Sequence, residues 1–197
     1  MLAAALLATA LPSCGIFRPG GTARLTSMEN GDQLAANLPM RVYSFIDKDT
    51  ADFYMTDLPQ SVWTTGPDVS TMAGVMVHVH MFLRPAAGHT PIADTASTAV
   101  IRVLVLAKGE LGEYGGGGFF VNDGNPGGKT FSGSVRNGSM RLVSKTKNFT
   151  DRLGPCTFAG EVSGKLDKDT AAAMERAMRA LLSESTPVGT PDSAKDR

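Results

Sequence analysis

The sequence predicts a mainly β fold: an antiparallel β-sandwich or open barrel of about seven or eight strands with one C-terminal α-helix. Three observations predict it. Between Met40 and Leu166 apolar residues recur with period two, the spacing that lines one face of a strand. Only one later stretch, Ala171, Met174, Met178, Leu181 and Leu182, repeats at helical spacing. Asn137-Gly138, between two alternating runs, is the pair favoured for a two-residue hairpin turn.

The elements follow in order. Met40 to Ile46 and Asp52 to Thr56 are rich in aromatic and β-branched residues, with a turn at Lys48-Asp49 between them. In Val75 to Leu83 the odd positions, Val75, Val77, Val79, Met81 and Leu83, are all apolar and should face a core. Thr98 to Lys108 is nearly all apolar apart from Arg102, as expected of a strand largely covered on both faces. Tyr114 to Val121 carries Gly115 to Gly118, which favour a bulge or a close backbone approach. A hairpin at Asn137-Gly138 would set Val135 opposite Met140 and Gly133 opposite Leu142, with Phe131 on their face. Phe158 to Leu166 alternates apolar or minimal residues with polar ones, a half-buried strand. Asp167 or Asp169 can cap the final helix, and Glu175 with Arg179 has four-residue ion-pair spacing on its exposed side.

Composition bounds the function. The 197 residues, 42% of them hydrophobic, suit one domain with a real core. Lys plus Arg and Asp plus Glu both number 19, so the chain has no electrostatic footprint for DNA or RNA. Asp123-Gly-Asn-Pro-Gly-Gly-Lys-Thr130 superficially matches a phosphate-binding loop. That motif needs Gly where Asp123 stands and a helix after the Thr, whereas Phe131 onward reads as a strand, so no nucleotide is expected. No Gly-x-Ser-x-Gly elbow is present. Trp63 either stacks a ligand or packs against the core.

The N-terminus speaks to location. Met1 to Leu11 is an uncharged apolar run, too short for the roughly 20 residues that span a bilayer but long enough for the core of a signal peptide. It closes on Leu11-Pro12-Ser13-Cys14. That run resembles the lipobox of bacterial lipoproteins. The resemblance implies a signal peptide over 1–13 and a diacylglycerol on Cys14, which becomes the mature N-terminus. It also implies an exported protein facing the periplasm or cell surface, with membrane contact through the lipid. Residues 14–39 are then expected to be the lipidated Cys and a flexible tether, with one short helical piece around Asp32 to Asn37. One β-rich domain spans 40–183, and 184–197 is a disordered tail. Cys156 would be a buried lone thiol; a Cys14–Cys156 disulfide is the competing arrangement.

One constellation could carry chemistry. His78 and His80 alternate on a strand, leaving one face about 6.6 Å apart. With His89 from a nearby loop and Asp94 as a fourth or supporting ligand, they could hold zinc or another divalent transition metal. The alternative is that both imidazoles lie on the solvent side of the strand, beside Met76 and Phe82. The functional expectation is a non-catalytic binding or structural module that meets an envelope protein or polymer and needs no cofactor. The second possibility is a metal-binding protein or small metalloenzyme.

Overall fold

The computed structural model describes residues 20–65, 70–84 and 96–188. Its strands are β1 (Gly21–Ser27), β2 (Gln33–Leu38), β3 (Met40–Phe45), β4 (Ala51–Thr56), β5 (Ala73–Met81), β6 (Ala99–Ala107), β7 (Glu110–Asp123), β8 (Thr130–Lys145), β9 (Cys156–Leu166) and β10 (Thr186–Pro187). Two helices accompany them, α1 (Ser61–Thr64) and α2 (Lys168–Leu182). The fold is mainly β with a C-terminal helix, as the periodicity predicts.

All ten strands belong to one sheet, in the order β10-β8-β7-β6-β5-β4-β3-β9-β1-β2, and an added β8–β9 pairing closes β3 to β9 into a ring. Every pairing in the ring is antiparallel except β3 with β9. Phe158 pairs with both Leu25 of β1 and Gly138 of β8, while Lys165 pairs with both Val42 of β3 and Thr130 of β8. One edge of β9 therefore belongs to β8, and β1 and β3 share the other.

Strand alternation fills the ring. Val75, Val77, Val79 and Met81 all face the core, whereas Leu83 lies beyond β5 and is partly exposed. Tyr43, Phe53, Phe120 and Phe131 form the centre, with the Phe53 ring 5.2–5.8 Å from the other three. These distances are those of favourable offset and edge-on aromatic pairs. On the outer surface α2 covers Val42, Tyr54, Met76 and Leu104 with Ala171, Met174, Met178 and Leu181. Leu104 and Leu106 thus lie under the helix while Ile101 and Val103 point inward, so the second half of β6 is covered on both faces, whereas Val100 on its outer face is exposed. Asp167 caps α2: its carboxylate accepts the Thr170 N–H at 2.9 Å and the Thr170 hydroxyl at 2.7 Å.

Three expectations are corrected. Asn137-Gly138 is not a hairpin turn but a bulge inside the continuous strand β8. A type I′ turn needs positive φ at both central residues, and only Asn137 has it, at 55°. One left-handed residue kinks a strand without reversing it. Val135 consequently pairs with Phe120 and Gly160, not Met140. Opposite the kink, Gly116 is obligatory, because a Cβ there would come within 1.9 Å of the Ser139 carbonyl oxygen.

The 14–39 tether is the second correction, because residues 21–27 and 33–38 are strands. Ala23 and Leu25 turn inward from β1, and Leu34, Ala36 and Leu38 do so from β2, so the expected helical piece has period two. The third is the tail, which contributes Thr186 and Pro187 as β10 beside Lys145 and Ser144. The domain thus extends past 40–183 at both ends; residues 1–19 and 189–197 lie outside the described residues.

Candidate functional site

His78 and His80 leave the outer face of β5, the face opposite Val77 and Val79. Exposure rises along this face as β5 emerges from under α2. Met76 is fully buried, the His78 side chain is 15% exposed, that of His80 33%, and Phe82 44%. The register of β4 against β5 sets Asp52 directly opposite His80 and Tyr54 opposite His78. Both histidines turn toward Asp52. His78 Nε2 lies 2.9 Å and His80 Nδ1 2.8 Å from the same oxygen, Oδ1. An ionised carboxylate only accepts, so each ring presents an N–H to it, and this fixes both tautomers. Tyr54 stacks on His78 with ring centroids 4.5 Å apart and planes 6° from parallel, holding the imidazole from the other side.

The polar line continues around the ring. Arg102 of β6 stands opposite His78, and its Nε and Nη2 lie 2.7 and 2.6 Å from Oε1 of the buried Glu113 on β7. Oε2 of Glu113 accepts the Ser144 hydroxyl of β8 at 2.8 Å, and the Ser185 hydroxyl donates to Ser144 at 3.2 Å. Above this line Glu175 and Arg179, paired on α2, and Met178 overhang His78 and Arg102. They enclose a polar cleft of about 300 Å³.

Electrostatics at Asp52 are a balance. Burial works against its ionised form, but the hydrogen bonds and charges of His78 and His80 outweigh that and hold the carboxyl below its ordinary range. Burial, joined by the charge of Asp52, raises the neighbouring Tyr54 hydroxyl, which stays protonated.

Of the expected ligand residues, His78 and His80 are brought together, on Asp52. His89, Asp94 and Cys14 lie outside the described residues. Among the described residues no group of three or more His, Cys, Asp or Glu side chains is arranged to hold a metal ion. Asp52 is the residue that sequence reasoning missed. It occupies an outward position in an alternating run, and only the β4–β5 register carries it to the histidines.

The other candidates resolve into structure. Trp63 packs with Val62 and Leu58 in the cluster beneath α2. Cys156 is fully buried, and burial together with the Asp151 charge pushes its thiol up to about 11. Thr130 opens strand β8, with no helix after the loop of residues 124–129. No protein-family model, curated protein or solved structure matches the chain.

The Asp52 pair of hydrogen bonds makes a stability prediction. A carboxyl held low when folded stabilises the fold above its unfolded value, near 3.9, and the benefit disappears as pH falls through the folded value. Asp52→Asn should therefore cost about 1–3 kcal/mol at pH 7 in denaturant unfolding, with the gap to the parent closing below about pH 4.

Proposed function

We propose that this chain is an exported, lipid-anchored binding module: Cys14 holds it to a membrane, and it engages an envelope protein or polymer from the periplasmic or cell-surface side. The observation that carries the binding part is β2. Among the described residues the sheet ends there, so β2 pairs with β1 alone among them and its other edge carries backbone donors and acceptors outside any ladder they form. Natural edge strands are usually blunted by charge, Pro or a bulge. β2 reads Gln33-Leu34-Ala35-Ala36-Asn37-Leu38, with no charge and no Pro, and Gln33, Ala35 and Asn37 are exposed. An edge of this kind suits addition of an extended strand from a partner.

Anchoring and edge fit together. β1 begins at Gly21, seven residues after Cys14, and seven residues reach at most roughly 25 Å. A lipid on Cys14 would hold the β1–β2 pair within that distance of the bilayer surface. No helix among the described residues is long and apolar enough to cross a membrane.

A second reading, a metal-binding protein or small metalloenzyme holding zinc or another divalent transition metal through His78, His80, His89 and Asp94, draws on the turn of both imidazoles toward one point. Metal content measured on untagged protein separates the two readings. Stoichiometric metal that is lost in the His78→Ala, His80→Ala double variant favours the second; metal that does not change with those substitutions dismisses it.

Two outcomes are expected of the leading reading. Cys14→Ser should move the protein from the membrane fraction to the soluble envelope fraction, and unchanged fractionation contradicts anchoring. Ala35→Lys, at an exposed position, should leave folding stability within about 0.5 kcal/mol of the parent. It should also remove crosslinks between β2 and its partner in whole cells.

A further inference from the structure

A cavity opens at one end of the ring. There the β1–β2 turn meets the segment joining β8 to β9, and Met28 N–H donates to the Pro155 carbonyl. Between these segments and β6 lies a cavity of about 330 Å³, walled by Leu34, Val105, Tyr114, Phe149 and Leu153. That volume falls within the roughly 300–1,000 Å³ typical of small-molecule sites.

The walls are built rather than incidental. Phe149 can lie against β7 only because residue 112 is Gly; a Cβ there would come within 2.3 Å of its ring. Asp151 ties the segment to the ring: its Oδ1 accepts the Tyr114 hydroxyl at 2.6 Å and the N–H groups of Leu153 and Gly154 at 3.0 Å. The Tyr114 hydroxyl is thus already donating, and the uncharged polar side chains left on the lining are Gln33 and Thr150. The other walls, Leu34, Val105, Phe149 and Leu153, offer no hydrogen-bonding side chain, and an apolar occupant suits them.

Charge stands only at the rim. Arg152 is 80% exposed, and its Nη2 is 3.9 Å from Asp32, too far for a hydrogen bond. Its guanidinium therefore keeps donors for an anionic head at the mouth of an apolar pocket.

We propose that this cavity binds a single medium-length aliphatic chain with a carboxylate head, the chain lying among Leu34, Val105, Phe149 and Leu153 and the head at Arg152. The assignment is independent of the partner proposed for β2.

Calorimetric titration of the full chain with decanoate, below the concentration at which it forms micelles, tests this. Saturable binding at one site is expected, weakened at least tenfold by Val105→Trp, which fills the cavity. Should that variant lose its thermal transition, Ala107→Trp, placed at the exposed mouth, gives the same reading. Arg152→Gln should weaken decanoate several-fold while leaving decanol unchanged. The absence of saturable binding, or parent-like binding by the folded Trp variant, overturns the site. Equal effects of Arg152→Gln on decanoate and decanol overturn the head assignment.

Discussion

The fold depends on one constraint: β8 is paired along both edges at once. Between Ser132 and Met140 it meets β7 on one side and β9 on the other, and these pairings turn a linear sheet into a closed ring. Closure removes the strand edges that would otherwise lie at β8 and β9, and it creates an inside. Tyr43, Phe53, Phe120 and Phe131 can share one cluster only because strands far apart in sequence are brought round to face each other. Each such ring removed from water contributes on the order of 1.5–3 kcal/mol. Closing so few strands requires sharp local curvature. The bulge at Asn137 and the missing side chain at Gly116 supply it where β7 and β8 press closest.

The outer surface follows from the same closure. One helix is long enough to cover part of the ring, and the strands beneath it, β4, β5 and β6, are apolar on both faces where it lies. Beside the apolar contact with α2, several outward positions are polar and pair laterally across strands. Asp52 gathers His78 and His80, Arg102 holds Glu113, and Glu113 holds Ser144. Half-buried charges along this line have partners, as burial demands. The same geometry leaves His80 at the solvent edge with one ring nitrogen turned away from Asp52. The β1–β2 pair stands apart from this economy: it occupies the part of the β9 edge that β3 does not reach, and among the described residues its far side is the end of the sheet.

What the sequence made legible is what short-range physics decides. The inward valines of β5 and the largely apolar run of β6 could be read from spacing alone, and the cap of α2 was narrowed to Asp167 or Asp169, of which the structure uses Asp167. The failures all involve a choice between elements. Asn137-Gly138 is compatible with a turn or a bulge, and the competition for Val135 between Met140 and the pair Phe120 and Gly160 is won by long-range pairing. β1 and β2 are built largely from small residues, Ala23, Ala35 and Ala36 among them, so their alternation carries little hydrophobic contrast until β9 supplies a neighbour. At the candidate site the two histidines were visible as an alternating pair. Asp52, which organises them, was not, because 26 residues separate it from His78 and only strand register joins them.

Backbone contacts at Val135 test closure most directly, through nuclear Overhauser effects in isotope-labelled protein. The closed ring predicts cross-strand contacts from Val135 to Phe120 on one side and to Gly160 on the other. A contact from Val135 to Met140, with that to Gly160 missing, would mean that the chain reverses at Asn137-Gly138 and that the ring is open.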